Sequence, residues 1–290
     1  MISVTTISAI MLLFSLCGFT INWAIVIIMI KVTKLQKPFA ILTVGLAIAD
    51  GTFSALYLFY ATPMVFFESD ILSNYSSVCG YVLMICYSAS TTFHFMISLN
   101  RILAVYKPML YRMMFSVLFT FCIVMGIYSY ALTIITLFFQ ILGCQNFYDQ
   151  ETRAFRYSGG DVCRFYATYL DFYLVFSLTI SSTILDFLAI GKVLKISSKT
   201  EKHSKELSLL KQSISQTLFV LAIVCSFTWG PRFIPDIDYT FIFSSILWSS
   251  VHMFDGFFTL IFNPEIRRSC SRSGQPLAFN VVRSKSAALD

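Results

Sequence analysis

Leu99-Asn100-Arg101-Ile102-Leu103-Ala104-Val105-Tyr106-Lys107-Pro108 closes a long apolar stretch with one arginine and leads into a short basic loop. An arginine at such a place can snorkel its guanidinium to the headgroups, so alone it decides little. The run behind it decides more: a helix needs about 20 apolar residues to cross hydrocarbon. By that measure the sequence predicts seven spans, about Ile7–Ile30, Pro38–Phe67, Val78–Val105, Phe115–Leu142, Ala167–Leu194, Ser213–Ile234 and Thr240–Phe262. Of the 290 residues 57% are hydrophobic and 12% charged, which is too apolar for a soluble chain of this size. The 30 Phe and 15 Tyr suit a bundle that packs in lipid and sets rings at its interfaces. The expectation is an all-α integral membrane protein, a seven-transmembrane helix bundle over residues 1–268 with a short disordered tail over 269–290.

Charge sets the orientation. Of the 21 Lys and Arg, 17 fall on one side of the seven spans; the other side holds only Arg153, Arg156, Arg164 and Arg232. The basic side is expected in the cytoplasm, which puts the N-terminus outside and the C-terminus inside. The net charge of +6 then reports topology and attraction to anionic inner-leaflet lipid, not nucleic acid. The first span carries no cleavage signal and is expected to serve as an uncleaved anchor. Asn74-Tyr75-Ser76 is a glycosylation sequon in a loop expected outside, which agrees with a plasma-membrane protein.

Of the eight cysteines, Cys17, Cys86, Cys122 and Cys225 lie within spans and read as packing residues. Cys79, at the top of the third span, and Cys144 and Cys163, which flank the longest outer loop, face an oxidising compartment, where a disulfide is expected. Three thiols allow three pairings. Cys79–Cys163 is favoured, because it would draw the loop across the mouth of the bundle, and Cys144–Cys163 is its main competitor.

Polar residues inside the spans carry the functional signal, since an Asp at a helix centre costs roughly 2.5–3.5 kcal/mol on insertion scales. Asn22 lies in the first span, Asp50 in the second, Ser90 and Arg101 in the third, Trp229-Gly230-Pro231 in the sixth, and Asn263-Pro264 ends the seventh. Any one of them is more readily a helix-to-helix hydrogen-bonding group than a functional one. As an ordered set they resemble the core of rhodopsin-like G-protein-coupled receptors over nearly the whole chain. Within that superfamily, Phe39-Ala40-Ile41-Leu42, Ser98-Leu99-Asn100-Arg101, Tyr169-Leu170-Asp171-Phe172 and His252-Met253-Phe254-Asp255-Gly256 resemble the nematode serpentine chemoreceptors, class x most closely.

The resemblance implies a relay of Asn22, Asp50, Ser90, Trp229, Pro231, Asn263 and Pro264, with a sodium ion possible near Asp50. It also implies coupling to a heterotrimeric G protein through Arg101, Pro108, Met109 and Tyr111. Several positions depart from the family pattern. Asn100 replaces the usual acidic residue before Arg101, Arg267 stands where a tyrosine switch belongs, and Cys225 replaces a phenylalanine below the hinge tryptophan. Leu83 occupies the amine-anchoring position and Phe257 that of the retinal lysine, which disfavours amine and opsin readings. A small-molecule ligand is expected in an outer aromatic cavity near Leu83, Asp171, Trp229 and Arg232, where Arg232 would meet an anionic or carbonyl group with Asp171 as its resting partner. The bland alternative for that pair is a structural ion contact. His252 and Asp255, three apart on one helix face, are expected to bond to each other. A metal role is not expected, because the three His are scattered. No G-x-S-x-G, H-E-x-x-H or paired-aspartate motif occurs, so no enzyme is expected. The competing readings are a ligand-gated ion channel and a receptor that does not couple.

Overall fold

Ser3 accepts the Thr6 amide at 3.1 Å and caps the first helix, α1 (Val4–Thr33), which Lys34 ends in a left-handed turn. The computed structural model describes residues 3–195, 201–233 and 242–273, with side chains left out at 201–203, 230–233, 243–244 and 270–273. Pro38 opens α2 (Pro38–Phe66), where a missing N–H costs nothing. A π-turn at Tyr57–Ala61 then shifts the helix phase. After a one-turn helix (Asp70–Asn74) follow α3 (Ser76–Tyr106) and the short α4 (Pro108–Met114). Ser116 caps α5 (Val117–Ile141) through the Phe119 amide at 3.3 Å. A hairpin of β1 (Asn146–Asp149) and β2 (Ala154–Tyr157) precedes α6 (Asp161–Lys195). Then come α7 (Glu201–Phe233), a π-turn at Ile242–Ile246 that runs into α8 (Leu247–Phe262), and α9 (Pro264–Ser273).

Six of these helices (α1, α2, α3, α5, α6 and α7) are long and apolar enough to cross a membrane. The seventh rod is α8, packed against α1, α2 and α7. Helices α2 and α3 form the enclosed centre, with Phe53, Tyr57, Leu83 and Phe93 fully buried. Apolar side chains on the rim, such as Leu118, Met125 and Leu132 of α5, point outward instead. That pattern suits lipid, which removes the need to hide apolar surface. The described part of the seventh helix runs from Ile242, inside the expected span, and that of the sixth from Glu201, ahead of the apolar run at Ser213. Polar residues continue it beyond the apolar run because helix formation needs only a favourable ladder, not a bilayer. Helix α9 runs to Ser273; residues 274–290 lie outside the described residues.

The hairpin lies across one end of the bundle. Its antiparallel register runs from Asn146↔Tyr157 to Asp149↔Ala154. Tyr148 and Phe155 pack against Tyr57 and the Cys79–Leu83 stretch of α3. The approach is so close that a Cβ on Gly80 would sit 1.9 Å from the Asn146 carbonyl oxygen, so only glycine fits there. The Tyr148 amide donates to Ser76 Oγ at 3.0 Å.

The disulfide is Cys144–Cys163, not Cys79–Cys163. The two strands bring their flanking cysteines together, with Cα atoms 5.1 Å apart. Cys79 is turned into the core beside Ile7, Tyr57 and Leu83, and stays free. Three residues earlier, nearly one helical turn, Ser76 faces the hairpin and holds the Tyr148 amide.

Candidate functional site: a roofed cavity, a buried charge cluster and an arginine pair

Beneath the hairpin, α3, α6, α7 and α8 enclose a cavity of about 340 Å³. Its wall is mostly aromatic and aliphatic, with Trp248, Phe155, Phe172 and Val224 among the lining groups. Polar contributions come from Asn146, Thr228, Ser245, Tyr87, Tyr157 and Asp171. A mainly apolar concavity with a few polar groups is what small-ligand sites look like. Trp248 forms edge contacts with Phe53 at 5.0 Å and Tyr87 at 5.8 Å, so its indole is held by rings on α2 and α3. Tyr157 donates its hydroxyl to Asp171 Oδ2 at 2.9 Å. Burial first, then the nearby carboxylate, pushes the Tyr157 phenol well above its ordinary range, which keeps it a donor.

Of the four residues expected at the ligand, Asp171 lines this cavity. Leu83 does not: it is buried in the α1–α2–α3 core with Met11 and Phe53. Trp229 does not either; it is 39% exposed on the bundle rim, against Phe176 at 6.4 Å. Val220 and Val224, on a different face of α7, take the inward position. The side chains of Pro231 and Arg232 lie outside the described residues, and with them the expected hinge and the expected Arg232–Asp171 pair.

At mid-bundle, Asp50 accepts a hydrogen bond from Ser90 Oγ at 2.9 Å on the same oxygen that faces His252 Nδ1 at 2.7 Å. The imidazole of His252 stacks on Phe53 with centroids 3.7 Å apart. Asn22 donates its amide to the carbonyls of Gly18 and His252, both at 2.9 Å, and so ties α1 to α8. Gly256 lets α8 come that close, because a Cβ there would meet Asn22 Oδ1 at 2.8 Å. His94 on α3 faces Asp255 at 2.9 Å. His252 and Asp255 therefore do not bond to each other, as their spacing suggested. They take partners on α2 and α3, and two His–Asp pairs cross-link three helices. Asn22, Asp50 and Ser90 do gather as the sequence predicts.

Asn263 and Pro264 stand apart from that cluster. Asn263 Oδ1 accepts the Glu265 amide at 3.0 Å and the Ile266 amide at 3.4 Å, and Pro264 is the first residue of α9. They form a helix start, with asparagine as cap and proline at its first position. Arg267 likewise belongs to α9 and reaches Ser208 Oγ at 3.2 Å, so it occupies no switch position within the seventh helix.

At the end opposite the hairpin, Arg101 donates to Glu206 Oε2 at 3.0 Å and lies 3.5 Å over the Phe39 ring. This couples the end of α3 to the start of α7. The carboxylate absent at Asn100 is thus supplied from another helix. Nearby, Asp186 of α6 accepts from Ser213 at 2.9 Å and from Thr217 at 3.3 Å, both on α7. Pro108 begins α4, Tyr111 stacks on Phe115 at 5.8 Å, and Met109 is 74% exposed. Asn74 is exposed, whereas Ser76 of its sequon is buried and donates to Ser73 O at 2.6 Å.

A seven-helix bundle with a roofed cavity at one end and an arginine-held helix pair at the other is the architecture of a seven-transmembrane receptor. The family profile described as "Serpentine type 7TM GPCR chemoreceptor Srx" matches residues 12–263, and the chain belongs to that family. It is also similar to Serpentine receptor class X 45 of Caenorhabditis elegans, with 24% identity over 288 residues that cover 90% of this chain and 80% of that protein. The chain is a multi-pass membrane protein of a chemoreceptor family, not of an enzyme family.

Proposed function

We propose that the chain is a plasma-membrane chemoreceptor, N-terminus outside, that binds a small molecule in the hairpin-roofed cavity and activates a heterotrimeric G protein at the opposite end. A sensory cilium is the narrower location this reading favours. The observation that carries it is that one helix serves both ends. Val220 and Val224 of α7 line the cavity, and Glu206 of the same helix holds Arg101. A ligand that prefers a different placement of α7 would weaken the Arg101–Glu206 pair by the differential affinity alone. Releasing α7 would uncover Arg101 next to the exposed Met109, which together make a basic and apolar face for a partner helix. The basic residues of α9 would rest on anionic lipid.

A sodium ion beside Asp50 would meet two buried carboxylate oxygens, hard donors suited to a cation. Two carboxylate oxygens there lack a partner, Asp50 Oδ2 and Asp255 Oδ1, and each sits on a carboxylate that already faces an imidazole. In this reading His252 and His94 bridge α2, α3 and α8, and an ion would sit on the two carboxylate oxygens they leave without a partner. The test is G-protein activation in a heterologous cell, wild type against Arg101→Ala at matched surface expression, over a screen of volatile and water-soluble small molecules. Activation lost in the variant supports the reading. Ligand-evoked current that survives removal of G-protein signalling would put a channel in its place.

A further inference from the structure

The cavity wall has a sign. Among its described residues Asp171 is the one charged group, and no Lys or Arg lines it. The surrounding groups are rings and aliphatic chains: Trp248, Tyr87, Phe155 and Phe172 carry electron-rich faces, which attract cations. The other polar wall atoms belong to neutral side chains, Asn146, Thr228 and Ser245 among them. An anionic ligand would meet carboxylate repulsion here, with no described cation to offset it.

Asp171 is also held ready. Tyr157 of the hairpin donates to one carboxylate oxygen at 2.9 Å, which fixes the group at the junction of roof and wall. A neutral phenol orients the carboxylate without cancelling its charge. Leu83, at the position read as an amine anchor, lies in the helix core away from the cavity, so its apolar character says nothing about what the cavity takes.

On the reading that this cavity is the ligand site, we propose that it selects a small monocationic amine. The ammonium would sit on Asp171, and an apolar body would rest against Trp248 and Phe172. The volume, at the lower end of the range for small-molecule pockets, suits one ring or a short branched chain rather than a peptide.

The test uses the full chain purified into lipid nanodiscs and three matched probes: 2-phenylethylammonium, 2-phenylethanol and 3-phenylpropanoate. The readout is the ligand-dependent rise in thermal midpoint, since a compound that binds the folded state stabilises it. The amine is expected to raise the midpoint saturably in the wild type and in Asp171→Glu. Asp171→Asn, with its own ligand-free midpoint as the folding control, is expected to bind the amine at least about tenfold more weakly, the scale of a lost charged hydrogen bond. A stronger response to the carboxylate would overturn the proposal in favour of an anion. Equal responses to amine and alcohol, unchanged in Asp171→Asn, would overturn charge selection and leave the cavity as a ligand site. No response to any probe at millimolar concentration would overturn both.

Discussion

Glu206→Gln should raise basal signalling. Arg101 is nearly sealed, with 5% of its side chain exposed, whereas Glu206 is 34% exposed. Breaking a fully buried pair costs about 3–5 kcal/mol, and a surface pair is worth about 0–1 kcal/mol. This pair lies between those limits. Gln keeps an oxygen that can accept from Arg101, so the variant removes the charge and keeps the bond. What is lost is the attraction between two opposite charges, which for a pair between the buried and the surface limits is about 1–1.5 kcal/mol. That loss falls only on the state in which α3 and α7 are held together. The equilibrium should therefore move toward the open state by about five- to twelvefold. If the open state of the wild type is about 1% populated, basal activity should rise to several per cent of maximum. The assay is nucleotide exchange on a G protein in membranes, with wild type and variant at matched surface density and no ligand added. Basal exchange in Glu206→Gln at or below the wild-type level would refute the argument that this contact restrains the inner ends.

Three further outcomes follow from the packing. Because Asp50 Oδ2 and Asp255 Oδ1 are buried without a partner, the thermal midpoint of the wild type should be higher in sodium than in potassium chloride at equal ionic strength, and Asp50→Asn should lose that difference; equal wild-type midpoints would contradict a sodium site there. Gly80→Ala should cost about 1–3 kcal/mol, since backbone must move to admit the Cβ, and surface abundance should fall, while Gly126→Ala, with nothing within 4 Å, should be neutral. Peptide mapping without reduction should recover Cys144 linked to Cys163 in the wild type and in Cys79→Ser alike, and Cys144→Ser should lose roughly 3 kcal/mol, as expected for a bridge across 19 residues.

The sequence made the spans legible because length and charge are one-dimensional quantities. Asn22, Asp50 and Ser90 were legible too, since a polar residue deep in an apolar run has few places to go but the centre. Rotation about a helix axis was not legible from hydropathy. Trp229 and Val224 are both apolar-compatible residues of one helix, and only packing decides that the valine turns inward. Cys79 likewise turns into the core, while the hairpin brings Cys144 and Cys163 together. Contacts far apart in sequence were hidden for another reason: His94 and Asp255 lie 161 positions apart, and Arg101 and Glu206 lie 105 apart. No periodicity links them. One helix boundary is legible in the sequence. Asn263-Pro264-Glu265 spells a helix start, an asparagine cap followed by proline and an acidic first turn, and the structure uses it as one.

Cys163 lies in the first turn of α6, so the disulfide fastens the roof along a single edge. The strands are stitched to the α5–α6 side by covalent bonds. Their hold on α3 is non-covalent: the Tyr148–Ser76 and Tyr157–Met84 hydrogen bonds, the packing of Tyr148 and Phe155, and the glycine notch at Gly80. The cover is therefore a flap with one sewn seam. Lifting it from α3 would break no covalent bond, and any shift of α6 carries it along.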